Sequence, residues 1–318
     1  MQHGRNIRGN GVKTMQDTKK RNATFRAGFV AICGPPNAGK STLLNLFTGE
    51  KISITSNKPQ TTRNRILGIV NRENSQMVFV DTPGIFRPRG RLNTAIVTTA
   101  LSAIEDVDVV LLLVDSARPH HGDAEKTTIS HLERGKKPVV LALNKIDRIK
   151  KPMLLEKIDA WRKVYPFEHI VPISARTGEQ TEILLRLMEA LLPEGGPLFP
   201  EEMLTDVPER FLAAEMIREK VFRLTGQEIP YATAITIDTF KEKKNGSVIH
   251  IQATIHVERE SQKRIIIGHR GSMLKMVGSA ARKEIERFTG AKVFLELFVR
   301  VQKNWSSDLN MLSEFGYK

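Results

Sequence analysis

Apolar and polar positions follow two different patterns along the 318 residues of the chain. Between residues 25 and 193, short apolar runs such as FVAIC, MVFV and VVLLLV recur, and amphipathic segments such as TLLNLFTG separate them. Short β-rich runs that alternate with helical segments are typical of a mostly parallel sheet covered by helices on both faces. Six such runs predict an α/β domain with a mostly parallel six-stranded sheet.

The second pattern begins after the Pro- and Gly-rich stretch LLPEGGPLFPEE, from which we predict a linker over residues 194–208. From residue 209 to 318 the predicted elements are helix, strand, strand, helix, helix and strand. Asn245-Gly246 lies between two alternating strands, which strongly indicates a β-hairpin. We therefore expect two unlike domains, an α/β domain followed by an α+β domain.

The distribution of charge indicates a third segment at the start of the chain, and the net charge indicates a class of partner. Residues 1–24 carry six Lys or Arg against one acid, with almost no apolar periodicity, so we expect a disordered basic tail. Met15 is an alternative start of translation. The formal charge of the whole chain is +14, which points to nucleic acid or an anionic membrane surface as the partner.

Cysteine usage and hydropathy exclude several classes of protein. The single cysteine, Cys33, excludes a disulfide framework and a multi-cysteine zinc site, and it fits a reducing cytosolic compartment. The apolar runs are far shorter than the roughly 20 residues that span a bilayer, and no signal-peptide pattern opens the chain. We expect a soluble protein whose metal sites use oxygen ligands.

The stretch GPPNAGKS matches the phosphate-binding pattern G-x-x-x-x-G-K-[ST], after a predicted buried strand and before an amphipathic helix. The glycines let backbone amides approach phosphate oxygens, and the lysine reaches the β- and γ-phosphates. The Ser41 hydroxyl is placed to ligate Mg²⁺. The predicted nucleotide contacts are Gly34, Pro35, Pro36, Asn37, Ala38, Gly39, Lys40, Ser41 and Thr42, of which Lys40 is also a catalytic candidate.

The motif DTPG follows the apolar run MVFV and places Asp81 at the carboxyl end of a strand. From there Asp81 can hold the Mg²⁺ shell through water, and the Gly84 amide can bind the γ-phosphate during catalysis. The predicted nucleotide contacts in this segment are Asp81, Thr82, Pro83, Gly84 and Ile85.

The motif NKID, at residues 144–147, predicts which base is selected. The Asp147 carboxylate can accept from the ring N–H and the exocyclic amine of guanine, whereas adenine presents an acceptor there. A buried carboxylate left unpaired rejects the wrong base by a factor on the order of 10⁴. Asn144 should brace the loops, and Lys145 should lie across the base. The segment SAR contributes Ser174, Ala175 and Arg176, and the Ala175 amide is the expected donor to guanine O6.

The sequence does not by itself identify two groups, the loop residue that binds Mg²⁺ and the group that assists hydrolysis. In the loop PQTTRNR we choose Thr62 as a Mg²⁺ ligand beside Ser41 and Asp81, with Thr61 as the alternative. Together these motifs indicate a GTPase, and a GTPase needs a group that orients the water attacking the γ-phosphate. The residue after DTPG is Ile85, whose side chain has no such group. We therefore expect Asn37 to help hold K⁺ against the phosphates, where other GTPases use an arginine.

The stretch GPPNAGKSTLLNLFTGEKISITSNKPQTTRNR, with DTPG, NKID and ISA, resembles the bacterial Era GTPases. The resemblance runs from about Phe25 to the end and implies a P-loop small GTPase domain followed by a type II KH domain. It implies hydrolysis of GTP to GDP with Mg²⁺, binding of the 3′ end of 16S rRNA, and a role in maturation of the 30S subunit. It also implies peripheral association with the inner membrane, and we expect a monomer. Pro35 departs from the family, which usually has arginine there.

The segment GHRG lies between two predicted helices, as the GxxG loop of a KH fold does. The stretch 263–283 contains six basic residues and no acid, which favours binding of a nucleic-acid backbone. Ile267 is predicted to form the floor of the base groove, and Phe294 and Phe298 are predicted to belong to the core. The predicted RNA contacts are Lys263, Arg264, Ile267, Gly268, His269, Arg270, Gly271 and Lys275.

Two hypotheses of function follow from these motifs. In the first, GTP binding reshapes the loops at 55–65 and 81–95, and this alters how the KH domain holds RNA. In the second, the protein is an RNA-binding assembly factor for which the nucleotide is only a structural ligand. The RNA affinity in the two nucleotide states separates the hypotheses.

Overall fold

The computed structural model describes residues 24–56, 58, 61–86, 88, 90–118, 122–226, 233–242 and 248–317. The predicted basic tail, apart from Thr24, and the predicted turn at Asn245-Gly246 lie outside these residues. In the part of the chain that is described, no helix is both long and apolar enough to cross a membrane.

The first domain is built on a six-stranded sheet, as the apolar runs predicted. Its strands are β1 (Arg26–Cys33), β2 (Ile66–Arg72), β3 (Ser75–Asp81), β4 (Val109–Asp115), β5 (Val139–Asn144) and β6 (His169–Pro172). The order across the sheet is β2-β3-β1-β4-β5-β6, and every neighbouring pair is parallel except β2 with β3. The five mutually parallel strands β1, β3, β4, β5 and β6 all end at the same edge of the sheet, where ligands of such sheets bind.

Helices cover both faces of this sheet. They are α1 (Lys40–Thr48), α2 (Arg91–Glu105), α3 (Asp123–Leu132), α4 (Lys151–Arg162) and α5 (Thr181–Leu191). Successive strand residues point to opposite faces, so Val30 and Ile32 pack in the core with α1 and α5, whereas Ala31 and Cys33 pack in the core with α2, α3 and α4. Burial on both faces explains why the strands are apolar without alternation.

The predicted linker packs along the edge strand β2. The Ile69 amide donates to Leu204 O at 2.9 Å, and the Leu67 amide donates to Asp206 Oδ1 at 3.2 Å. Asn71 Nδ2 also donates to Glu201 O at 2.8 Å. These bonds satisfy donors that an edge strand would otherwise leave open, and they fix the point from which the second domain starts.

The second domain has the predicted α-β-β-α-α-β order. Its elements are α6 (Glu209–Leu224), β7 (Ala234–Glu242), β8 (Val248–Val257), α7 (Glu260–Ile267), α8 (Ser272–Thr289) and β9 (Lys292–Val301). Strand β8 is antiparallel to β7 and parallel to β9. The apolar core lies between the helices and one face of this sheet, and it includes Ile251, Ile255, Val277 and Ile285.

The opposite face of this sheet is open, and one prediction about it is wrong. Phe294 and Phe298 lie on the open face with 52% and 53% of their surfaces exposed, so they do not belong to the core. Along β9 the side chains alternate, and Val293, Leu295 and Leu297 pack towards the helices. Periodicity identified the two faces of the strand, but it could not show which face the helices cover.

The end of the chain returns to the first domain. A short helix, α9 (Leu309–Glu314), follows a turn that begins at Trp305. Trp305, Leu312 and Tyr317 form an apolar cluster with Leu92 and Ile96 of α2. This cluster packs the carboxyl-terminal segment against the helix that follows the DTPG loop.

Candidate nucleotide site and RNA groove

The predicted phosphate loop lies at the carboxyl edge of the sheet, between β1 and α1. Gly39 has a φ of 106°, and a Cβ atom there would lie 2.3 Å from Asn144 Nδ2, so only glycine fits. Asn144 Nδ2 donates to Ala38 O at 2.7 Å, and its Oδ1 accepts from the amides of Lys145 and Ala175 at 2.8 and 2.9 Å. Asn144 thus joins the three loops that it was predicted to brace.

Lys40, which follows this loop directly, is buried, and its side chain folds back towards the start of the loop. Its Nζ donates to the carbonyl oxygens of Gly34 and Pro35, each at 3.0 Å. Burial lowers the pKa of Lys40 to about 8, and the nearby Asp81 carboxylate opposes this shift. A phosphate bound beside Nζ would favour the charged form still further, because opposite charges stabilise each other.

Three oxygen-bearing side chains meet next to the phosphate loop. Ser41 Oγ donates to Asp81 Oδ2 at 2.8 Å, and it lies 2.8 Å from Thr62 Oγ1. Asp81 is fully buried, and its Oδ1 has no hydrogen-bond partner among the described residues. Burial raises the pKa of Asp81, with Lys40 acting against it. A buried carboxylate oxygen without a partner, beside two hydroxyls, fits a hard cation such as Mg²⁺.

The geometry separates the two adjacent threonines of the loop that precedes β2. Thr61 Oγ1 donates to Lys58 O at 2.7 Å, within its own loop. Thr62 Oγ1 instead lies against Ser41. The structure therefore favours Thr62, the residue chosen from the sequence.

Thr62→Ala should raise the Mg²⁺ concentration at which a fluorescent GTP analogue is half-maximally retained by about tenfold, since it would delete the hydroxyl predicted to bind the metal. Thr61→Ala, the matched control, should stay within about twofold, because its hydroxyl binds only its own loop. Titration of analogue release with Mg²⁺ measures both values. A larger shift for Thr61→Ala than for Thr62→Ala would contradict the assignment.

The DTPG loop is hydrogen-bonded to the first residue of the phosphate loop and to the strand before it. Thr82 Oγ1 donates to Ile32 O at 2.9 Å, and Thr82, Pro83 and Ile85 are all buried. The Ile85 amide donates to Gly34 O at 3.2 Å, while its side chain packs in the core. The Ile85 side chain therefore offers no group that could orient an attacking water, as the sequence predicted. Ile85 was also predicted to contact the nucleotide, but it is not among the residues that line the cavity beside the phosphate loop.

A cavity of about 840 Å³ opens beside the phosphate loop, in the size range of small-molecule sites. Lys145 anchors one wall, because its Nζ donates to Asn37 O and to Asp115 Oδ2, each at 2.7 Å. The cavity is lined by Asn37, Gly39, Thr42, Ser56, Asp115, Ala117, Arg118, Asn144, Lys145, Asp147, Arg148, Ala175 and Arg176. A smaller adjoining pocket contains Pro36, Lys40, Ser41, Thr61, Thr62 and Gly84.

The Asp147 carboxylate belongs to the lining of this cavity. Its Oδ1 accepts from Ser174 Oγ at 2.7 Å, and its Oδ2 accepts from Arg176 at 2.6 Å. The hydrogen bond from Ser174 and the charge of Arg176 hold the pKa of Asp147 below its usual value. The Arg176 side chain is 74% exposed, so this ion pair is weak and can yield to a base.

Sequence reasoning missed Asp115 and Arg118, which both line the base cavity. Asp115 ends the apolar run VVLLLV just as Asp81 ends MVFV, so the rule that ligands bind at strand carboxyl ends could have found it. Arg118 lies in a loop without a comparable signal.

The second candidate site is a groove of about 360 Å³ between α8 and β9. Leu295 and Leu297 provide an apolar floor, and Lys275 and Arg282 provide a basic rim. This combination suits unstacked bases and their phosphates. The groove is lined by Gly271, Leu274, Lys275, Gly278, Ser279, Arg282, Leu295 and Leu297. Ile267, the predicted floor, lies on α7 outside this lining.

The GxxG loop forms one end of the groove. Gly268 has a φ of 71°, and a Cβ atom there would lie 2.8 Å from the Met273 backbone nitrogen, so the turn requires glycine. His269 and Arg270 project into solvent from a short 3₁₀ helix, and Gly271 lines the groove itself. Of the predicted contacts on α7, Lys263 is half-buried and Arg264 is exposed. The loop therefore presents a cation beside an apolar groove.

Comparison with known proteins agrees with the two kinds of domain. Residues 29–145 match the family described as 50S ribosome-binding GTPase, and residues 228–306 match the KH domain family. A curated GTPase Era from Geobacter metallireducens is 57% identical over 293 residues, which cover 92% of this chain and 98% of that protein. GTPase Era from Syntrophus aciditrophicus is 50% identical over 293 residues, with 92% and 95% covered.

Two solved structures are similar over the same length. One is Era in complex with MgGDPNP and nucleotides 1506–1542 of 16S ribosomal RNA. The other is a variant of Aquifex aeolicus Era bound to GDP·AlF4⁻. Each is 41% identical to this chain with a TM-score of 0.89, and each alignment covers 92% of this chain and 99% of the other.

Proposed function

Because the chain belongs to the Era family of GTPases, we propose that it acts in maturation of the 30S ribosomal subunit in the cytoplasm. Its KH domain binds the 3′ end of 16S rRNA in the groove between α8 and β9, and GTP hydrolysis changes that grip. The related Era complex with nucleotides 1506–1542 of 16S rRNA supports this target, as do the apolar floor and basic rim of the groove.

The observation that carries the proposal is the contact between the Thr62 loop and the KH domain. Arg218 of α6 donates to Thr61 O at 2.6 Å. Arg63 is almost fully buried between the rings of Phe222 and Tyr317, with its guanidinium carbon 5.6 and 5.5 Å from the ring centres. The KH side of the molecule thus holds the residues immediately before and after Thr62.

Through this contact, a movement of the Thr62 loop during GTP hydrolysis would be transmitted to the RNA-binding domain. A Thr62 that moves when the γ-phosphate leaves must also disturb Thr61 and Arg63, since all three are consecutive. Helix α2, which follows the DTPG loop, packs on Trp305 and Tyr317 through Leu92 and Ile96. Both loops expected to respond to GTP therefore contact elements of the RNA-binding half.

Crosslinking the full chain to cellular RNA in each nucleotide state, followed by sequencing, tests the proposed target. We expect enrichment of the 3′ end of 16S rRNA, with a different yield in the two states. Captured RNA without enrichment of that end would contradict the target. An equal yield in both states would favour the rival hypothesis, in which the nucleotide only stabilises the fold.

The residues that hold the nucleotide are part of the same proposal. Lys40 and the amides of the phosphate loop bind the phosphates, and Asp147 selects guanine. Ser41, Thr62 and Asp81 hold Mg²⁺ and its water shell. When bound, the ion supplies positive charge that offsets the charge developing on the phosphate oxygens.

Potassium is the further cofactor that we propose. Ile85 is buried and cannot orient water, while Asn37 lies in the phosphate loop with a φ of 64°. We expect turnover in KCl to exceed turnover in NaCl by at least about tenfold, because a cation at the phosphates stabilises the transition state. Asn37→Gly, which tolerates the same φ, should abolish the difference while GDP affinity is kept. Equal turnover of the wild type in the two salts would refute the proposal.

A further inference from the structure

Ser53 reaches the metal-binding carboxylate from a loop that carries none of the nucleotide motifs. It is almost fully buried, and its Oγ donates to Asp81 Oδ2 at 2.8 Å. Ser41 donates to the same oxygen at the same distance. Two donors therefore occupy Oδ2, and Oδ1 is the carboxylate oxygen left without a partner among the described residues.

The backbone of Ser53 is fixed to α1. Asn45 Oδ1 accepts from the amides of Ile52 and Ser53 at 3.1 and 2.9 Å, and Asn45 Nδ2 donates to Ser53 O at 2.7 Å. Asn45 follows Ser41 by four residues, so both side chains lie on one face of α1. The helix that supplies the Ser41 hydroxyl thus also fixes Ser53.

The residues on either side of Ser53 bind the KH domain. Lys51 Nζ lies 2.5 Å from Glu219 Oε2 and also pairs with Glu284 of α8. The Thr55 amide donates to Glu219 Oε1 at 3.1 Å. The Glu219 side chain is fully buried. A carboxylate of α6 therefore holds the loop two residues before and two residues after Ser53.

We propose that Ser53 is a positioning residue for magnesium, and that Glu219 of the KH domain holds it in place. The Ser53 hydroxyl restricts rotation of the Asp81 carboxylate, so the free oxygen stays oriented for the water shell of the ion. Groups that orient ligands in this way are worth about 10-fold to 100-fold in metal affinity. This inference rests on the Mg²⁺-dependent nucleotide binding proposed above.

The test uses the full chain loaded with fluorescent GDP, whose release rate is followed against free Mg²⁺. Ser53→Ala should raise the Mg²⁺ concentration for half-maximal retention by about 10-fold to 100-fold. Glu219→Gln, a change at a residue that does not itself line the nucleotide cavity or its adjoining pocket, should raise it by about 2-fold to 10-fold. Ser130→Ala and Glu209→Gln change exposed residues of the same types, and they should match the wild type.

The outcomes are distinguishable. GDP affinity measured in EDTA should be the same for wild type and Ser53→Ala, because the hydroxyl acts only through the ion. An equal loss with and without Mg²⁺ overturns the inference, since it would indicate general damage to the site. If wild-type release responds to Mg²⁺ and Ser53→Ala follows the same curve, the inference alone fails. If Glu219→Gln gives the same Mg²⁺ dependence as the wild type, Glu219 does not hold Ser53 in place, and the part proposed for the KH domain is wrong. A wild type that ignores Mg²⁺ refutes the proposed function itself.

Discussion

Asp147→Asn is expected to lower the affinity for GTP by roughly 10³-fold to 10⁴-fold and to create affinity for xanthosine triphosphate. Guanine presents two donors to this position, the ring N–H and the exocyclic amine. A carboxylate accepts both, whereas an amide places its own N–H₂ against one of them and leaves donors unpaired. Xanthine carries an oxygen in place of that amine, so it complements the amide.

Two contacts of Asp147 account for the large size of this effect. Ser174 Oγ fixes the carboxylate through Oδ1, so the group cannot rotate freely to escape a mismatch. Arg176, the other partner, is largely exposed and can be displaced into solvent at little cost. A guanine bound here would therefore meet an acceptor whose orientation is set in advance.

Isothermal titration with GTP and with xanthosine triphosphate measures the change in specificity. Asp159→Asn is the matched control, because Asp159 is an exposed acid on α4 that forms an exposed ion pair with Arg162. It should bind GTP like the wild type. Wild-type GTP affinity in Asp147→Asn would show that another group selects the base.

The double substitution His269→Asp with Arg270→Asp should lower RNA affinity by on the order of 100-fold or more. Both side chains are exposed on the GxxG loop, so the fold should tolerate the change. Arg270 has a φ of 48°, a conformation that aspartate adopts more readily than most residues. Two carboxylates at this position would repel the phosphates that the loop is proposed to hold.

Filter binding of a 16S 3′-end oligonucleotide, repeated at several salt concentrations, tests this second prediction. Binding by the double variant should also depend less steeply on salt, since fewer phosphates are neutralised. Arg134→Asp with Lys136→Asp is the control, because it adds two exposed acids to the first domain. GTP hydrolysis without RNA should be unchanged in both. An unaltered RNA affinity in the GxxG variant would place the RNA elsewhere.

The local motifs were the part of the molecule that the sequence could predict. GPPNAGKS, DTPG and NKID each follow an apolar strand, and parallel topology brings strand ends together. The phosphate loop and the start of α1 therefore contact Asp81 through Ser41 and Asn144 through Ala38. The choice between Thr61 and Thr62 needed coordinates, since adjacent loop residues carry the same chemistry. Ile267, the predicted floor, does not line the groove between α8 and β9, because the direction in which each side of α7 faces depends on tertiary packing.

Contacts between the domains could not be predicted. Arg63 and Arg218 have the sequence character of solvated surface residues, yet both are buried by tertiary packing around Phe222. Ser53 carries no motif, and only the fold places it against Asp81, 28 residues further along the chain. These residues depend on how the two halves dock, which no local pattern records.

The central claim is that the nucleotide sets the grip on RNA through the loop around Thr62. Its most direct test is the affinity of the full chain for a 16S 3′-end oligonucleotide, at one salt concentration, in the Mg·GDP form and with a non-hydrolysable GTP analogue. We expect affinities that differ by at least about fivefold, the lower end of typical coupling between sites. Equal affinities in the two forms would contradict it.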